Sequence, residues 1–228
     1  MLDLRATSAA DLVNLLASGF ADVSFSQEGE DKILSRLFGG QQNGFYVDVG
    51  AHHPLRFSNT AGLYFRGWRG INVDATPGSM APFAQIRPRD VNLECCVSED
   101  GADVVFDLYN EPALNSTRCE RAATMPEHYK VVQRKIMPSR RLDDILAEHM
   151  PANTPLDLLS VDVEGADLDV LRSHDWTHHR PRVLVVEDGD FDVENPGASP
   201  MHPFLREKGM RWYAKLYRSL IYVAPDAF

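Results

Sequence analysis

Four short apolar runs in this chain finish in acidic residues, and those acids are the groups best equipped to do chemistry. FYVDVG carries Asp48 and Gly50 at its end, GINVD finishes in Asp74, LLSVDVEG in Asp162 and Glu164, and VLVVED in Glu187 and Asp188. An unpaired buried carboxylate is costly, so acids at four such ends point to a shared polar site and away from simple packing. A carboxylate there can accept hydrogen bonds from sugar hydroxyls, take a proton as a general base, or hold a hard cation. Asp162 is the first choice for the base, with Glu164, Glu187 and His53 next. Asp162, Glu187 and Asp188 would suit Mg²⁺, and the same acids can equally cap a loop or pair with Arg182.

The other reactive side chains read more plainly. His52 and His53 lack Cys or His partners at ligand spacing, which sets zinc aside and leaves base, substrate contact or loop packing. Cys95, Cys96 and Cys119 are an odd number, and the vicinal pair sits in an apolar run, so buried thiols in a reducing cytoplasm are expected. Arg66, Arg69, Arg140 and Arg141 are read as solvated structural cations able to meet an anionic acceptor. His178 and His179 lie in a polar surface loop.

The elements that must position these groups alternate. SFSQEGEDKILSRLF predicts a helix capped by Ser26, with Ile33, Leu34, Leu37 and Phe38 on its core stripe. FYVDV is a buried strand, residues 59–66 a helix stopping at Gly67, and RGINVD a second strand. Ser79 caps a helix through Ile86, VNLECCV is a third strand, VVFDL a short extra one, and YKVVQRKIM an extended run. The polar stretch 109–127 is too long for an ordinary connection and reads as a lid or binding loop, with NEPALNS the place for acceptor recognition. RRLDDILAEHM, DLDVLRS and HPFLREKG are helices. LDLLSVD and RVLVVED are strands, and RWYAKLY with SLIYVA forms an antiparallel hairpin. Strands alternating with helices imply one α/β domain over residues 24–228, its sheet mainly parallel and covered on both faces. Residues 1–23 form a helical extension suited to a subunit contact in a homo-oligomer.

Composition narrows the partners. The 228 residues carry 23 Lys and Arg against 33 Asp and Glu, a net charge of −10, which speaks against a broad hold on nucleic acid. No apolar run is long enough for a bilayer span, and the N-terminus lacks the basic region of a secretory signal, so neither a membrane nor an export route is expected. The cofactor argument rests on two strand ends. Asp74, at the end of the second strand, can accept from both hydroxyls of a ribose, and Gly50 lets a ligand approach the first turn. That turn, DVGAHHP, has one glycine and a proline, so it cannot cradle a pyrophosphate. A nicotinamide-dependent oxidoreductase is thereby disfavoured. A ligand with ribose and no pyrophosphate fits, and S-adenosylmethionine meets that description.

SQEGED, FYVDVGAHHP, RFSNT, GWRGINVDATPGSM, RPRDVNLE and LDLLSVDVEGADLDVL occur in the order seen in FkbM-type S-adenosylmethionine-dependent methyltransferases, and the resemblance spans roughly residues 24–188. It implies the class I methyltransferase fold, a Rossmann-like α/β fold with a seven-stranded, mainly parallel sheet and an antiparallel last strand, and methyl transfer mostly to hydroxyl oxygen. By motif it places Asp48 and Gly50 in the first cofactor motif and Asp74 with Ala75 at the ribose. It places Ser26 and Gln27 where the family's upstream helix approaches the cofactor, Asn59 in the block after the first motif, and Glu94, Cys95 and Cys96 near the adenine. Asn59 and Asp162, the latter presented at the carboxyl edge by its strand, are counted with the cofactor contacts. Many members carry Asn and Gly after DVGA, where this chain has His52, His53 and Pro54. The expected function is O-methylation of a hydroxyl on a small molecule or glycoside. The alternative is a non-catalytic protein that binds the same cofactor for regulation.

Overall fold

The structure, a computed structural model, describes residues 8–19 and 21–228. Ser8 caps α1, Ala9–Ala17, by accepting from the Asp11 N–H, and none of that helix is buried. The remainder of the expected N-terminal helix, residues 1–7 and Phe20, lies outside the described residues. Helix α2, Glu30–Phe38, buries Leu34 and Phe38. It begins later than the sequence suggests. Gly29, at φ 94°, occupies the cap, and Ser26 instead joins a turn in which Asp31 accepts from Ser24 Oγ, Ser26 Oγ and the Phe25 N–H.

The chain then alternates through β1 Phe45–Val49, α3 Ala61–Phe65, β2 Arg69–Asp74, α4 Met80–Ile86 and β3 Val91–Glu94. Ser79 stands at the start of α4, yet its hydroxyl makes no capping bond. The run VNLECCV divides at Cys95: β3 joins the main sheet, and β4, Cys96–Val97, pairs instead with β7, Ser139–Arg140. Between them β5, Val104–Tyr109, and β6, Val131–Met137, form a separate antiparallel hairpin. After β7 come α5 Leu142–His149, β8 Leu158–Val161, α6 Asp167–Arg172, β9 Val183–Glu187 and α7 Met201–Glu207. Strands β10 Arg211–Lys215 and β11 Ser219–Val223 close the chain.

The seven-stranded sheet has the order β10-β11-β9-β8-β1-β2-β3. Strands β3, β2, β1, β8 and β9 pair parallel, and β11 runs antiparallel to both β9 and β10, so β11 alone is reversed. This is the sheet expected from the sequence. Every residue of β1 and β8 is buried, which requires cover on both faces because successive side chains alternate. The chain leaves β1 toward β2 on one side and returns as β8 on the other, so a crevice opens between the tips of β1 and β8.

Candidate functional site

The base of the crevice is fixed by a backbone contact. Gly50 has φ 83°, and a Cβ there would lie 1.7 Å from the Asp162 carbonyl oxygen, so only glycine allows the β1 and β8 tips to meet this closely. Its N–H and that of Ala51 both donate to the Val73 carbonyl, which ties the turn to β2. Asp74, buried at the end of β2, accepts from the His52 N–H at 2.9 Å through Oδ2 and from the Thr76 N–H at 2.8 Å through Oδ1. Each carboxylate oxygen thus keeps a lone pair for a further donor.

These tips line an inner cleft of about 550 Å³. Val73, Cys95, Cys96, Val97 and Phe106 make its apolar wall; Gly50, His52, Asp74, Ala75, Thr76, Asp162 and Glu164 make its polar floor. Pro112, Ala113, Asn115 and Thr117, from the long segment after β5, cover it. Burial pushes the Cys96 thiol up to about 12, so it packs as an apolar group and is no nucleophile. Beside this lies an outer cleft of about 850 Å³, lined by Gln27, Arg56, Phe57, Glu111, Leu114, Tyr129, Glu187 and Arg218. Gly50, His52, Ala113, Asp162 and Glu164 belong to both clefts.

Asp162 stands where the clefts join. Ligand oxygens of Asp162, Glu164 and Glu187 lie within 4.8 Å of one another. Glu164 pairs with Arg121 at 2.6 Å and Glu187 with Arg218 at 2.5 Å. Among the described residues the Asp162 carboxylate has no such paired cation; its backbone N–H is bonded to the Val49 carbonyl. It keeps an open face toward the clefts. The residue is exposed on its cleft side; desolvation by the surrounding protein, and then the charges of Glu187, Glu164 and Asp167, hold its pKa above the usual carboxylate range. The turn that follows is fixed from two sides. Asp167 accepts from the Val163 and Gly165 N–H groups, and the Glu164 carbonyl accepts from Ser116 Oγ and Arg121 Nη1.

Several residues singled out in the sequence are placed elsewhere. Asp48 is buried beneath the cleft, where Thr60 Oγ1 donates to it at 2.7 Å; burial raises its pKa, and the Arg87 charge opposes that. Glu94 points to the surface and accepts from the Gly78 N–H at 2.7 Å. His53 Nδ1 accepts from the Leu55 and Arg56 N–H groups, a turn cap outside both clefts; His52 is the histidine that lines them. Asp188 accepts from Ser199 Oγ and lies apart from the three clustered acids, and Arg182 pairs with Asp157. Asn59 donates to Ser160 Oγ and, with Gln27, borders a small groove that also touches Asp162 and Glu187. Ser26 lines neither cleft. Gly50, Asp74, Ala75, Cys95, Cys96, Asp162 and Glu164 are brought together. Thr76, Phe106, Arg121 and Arg218 join the site with no motif to mark them, because each reaches it from an irregular segment or a hairpin.

Comparison with known proteins gives the following likenesses. The model of the methyltransferase FkbM domain matches residues 48–211, more than half of the chain. Over 97 residues the chain is 37% identical to methyltransferase sdnD of Sordaria araneosa, covering 39% of this chain and 34% of that protein. The chain therefore spans about a third of the length of that curated relative. Among solved structures, a TehB-like SAM-dependent methyltransferase from Corynebacterium glutamicum aligns at 12% identity over 95% of each chain, with a TM-score of 0.40. An O-methyltransferase from Bacillus cereus, solved in complex with SAH, aligns at 13% identity over 97% of this chain and 94% of its own, with a TM-score of 0.38. Neither structural likeness is close enough to carry an argument of its own.

Proposed function

We propose, from the premise that this chain belongs to the FkbM methyltransferase domain family, that it is an S-adenosylmethionine-dependent O-methyltransferase acting on a hydroxyl of a small molecule or glycoside. The inner cleft fits the cofactor by the chemistry of its donors. Asp74 has a free lone pair on each oxygen for the two ribose hydroxyls, the wall from Val73 to Phe106 suits a purine, and the acids at the floor suit a cationic sulfonium. When bound, the cofactor supplies an electrophilic methyl group on a positively charged sulfur.

The chain's own part is positioning and proton transfer. The observation that carries the reading is Asp162, the acid without a fixed cation, at the junction of inner and outer clefts. Its carboxylate can take the proton of an acceptor hydroxyl that enters from the outer cleft. The same surroundings that raise its pKa make it a stronger base than an ordinary aspartate. Arg121 and Arg218 offset the charges of Glu164 and Glu187 beside it.

Calorimetry tests the cofactor site. Adenosylhomocysteine should bind in the micromolar range, about −8 kcal/mol. Asp74→Ala should weaken it by about 1–3 kcal/mol, since a buried ribose hydroxyl then lacks its acceptor. Undiminished affinity in that variant removes the ribose assignment. Asp162→Asn should keep the binding and lose methyl transfer from labelled cofactor to a library of hydroxyl acceptors.

A further inference from the structure

Four non-glycine residues among those described have positive φ: His52, Phe57, Asn153 and Glu164. Asparagine tolerates that conformation; a bulky aromatic does not. Apart from Asn153, each of the four lines the outer cleft. Phe57, at φ 60°, is also 41% exposed, so its ring secures neither good backbone geometry nor full burial. Strain of this kind persists only where the surroundings impose it, and it gathers at functional sites. Here the surroundings do impose it. Fully buried Arg87 donates to the Pro54 carbonyl at 2.6 Å and to Ser58 Oγ at 2.7 Å, and the Ser58 N–H donates to the Phe25 carbonyl. The Arg56 guanidinium stands 4.3 Å from the Phe57 ring centroid, and the His52 ring lies nearly parallel at 6.2 Å.

Resting on the reading of the outer cleft as the acceptor site, we propose that Phe57 is its stacking platform and that the acceptor presents a polyhydroxylated six-membered ring of the pyranoside class. The C–H face of such a ring would lie on Phe57, and an edge hydroxyl would point toward Asp162. The lining distinguishes this from other ring classes. A planar arene has no use for many hydrogen-bonding groups; here Phe57, with His52 and Tyr129 near it, shares the cleft with Gln27, Glu111, Glu187 and Arg218, whose donors and acceptors suit ring hydroxyls. Gln27 is exposed, and its side-chain amide makes no hydrogen bond among the described residues, which leaves it free for a ring hydroxyl. A flexible acyclic polyol would match the polar groups and make no use of the platform.

Saturation-transfer NMR on protein loaded with adenosylhomocysteine tests this with methyl α-D-mannopyranoside, methyl β-D-galactopyranoside, sorbitol and catechol as probes at millimolar concentration. Saturation of pyranoside ring protons is expected with the native chain and with Phe57→Tyr, and little with sorbitol or catechol. Phe57→Gly should weaken the pyranosides by about fivefold or abolish their signal. Glycine accepts φ 60° freely, so the Tm of that variant should hold or rise, and adenosylhomocysteine affinity should be unchanged. A merely structural Phe57 would instead show a lower Tm and unaltered saturation, which overturns the proposal. Equal saturation by sorbitol or catechol, or none by either pyranoside, overturns it as well. Absence of adenosylhomocysteine binding in the native chain strikes the cofactor reading and this inference with it; binding intact without pyranoside saturation strikes this inference alone.

Discussion

His174 and Asp162 are governed by the same physics with opposite results. His174 is buried after α6, and its Nε2–H donates to the His179 carbonyl at 2.9 Å, while Nδ1 has no partner. Protonation would place a second N–H where nothing accepts it, and burial holds the pKa down at about 4. The folded state therefore favours the neutral ring. Its contribution is complete above the unfolded value near 6.5 and is lost as pH falls from there toward 4, by about 3 kcal/mol in all. His174→Gln keeps a donor for His179 and has no charge to gain. Urea titrations between pH 7 and pH 4.5 should show a shallower loss of stability for it than for the native chain; parallel losses would mean that the imidazole is not held neutral. At Asp162 enclosure also favours the neutral form, but the group faces the clefts, where a substrate proton can be exchanged. A buried ring with no acceptor for a second proton stays a structural group, whereas a carboxylate open to a cleft can act as a base.

At the scale of elements, the join between the β1 and β8 tips is the decisive contact. Gly50→Ala would drive a methyl into the Asp162 carbonyl and impose a strained φ of 83°, so a loss of at least about 2 kcal/mol in urea unfolding is expected. Adenosylhomocysteine affinity should fall with it, because the tips line the inner cleft. An alanine variant as stable as the native chain would mean that the tips can separate at little cost. The sheet itself was legible in the sequence: buried runs such as FYVDV and VLVVE are continuous in burial as well as in hydropathy, and the closely joined C-terminal runs do pair. What lay at the strand ends was less so. Asp48 looked like its counterpart Asp74, yet one is beneath the cleft and the other in its floor. The direction of the first is set by Thr60 and by Arg87, which arrives from the far end of α4. His53 and His52 are adjacent and indistinguishable by type; the turn geometry, with φ 52° at His52, decides which one lines the clefts. Ser26 and Ser79 had the composition of caps: Gly29 holds the cap position of α2 while Ser26 Oγ accepts from the Asp31 N–H at 3.3 Å, and Ser79 holds that of α4 with no side-chain bond. Periodicity reports burial, and it is silent on where an irregular turn aims its side chains.

For the molecule as a whole, the segment between β5 and β6 connects several parts of the site. Asn115 Nδ2 donates to Thr76 Oγ1 at 2.9 Å, Glu111 pairs with Arg56 at 3.2 Å, Arg118 with Asp169 at 2.8 Å, and Arg121 with Glu164. It thus bridges the turns after β1, β2 and β8 while its residues line the inner cleft, so a nucleoside held there would lie under these ties. The Arg56–Glu111 pair is the part best suited to open. Both side chains are half-exposed, and a pair of this kind contributes at most about 1 kcal/mol. Glu111→Gln should therefore leave global stability almost unchanged, yet speed amide hydrogen exchange across residues 109–117 and raise the dissociation rate of adenosylhomocysteine. In the native chain that ligand should slow the same exchange. At a hundredfold excess over its Kd it should add about 2.7 kcal/mol to the unfolding free energy. Protection spread evenly over the sheet, with none gained at 109–117, would show that the segment is a fixed wall. Protection concentrated there and lost in Glu111→Gln would show that it is a cover, one whose closure brings Arg121 to the acid next to Asp162. The elements that hold the cofactor and those that tune the base would then move as one.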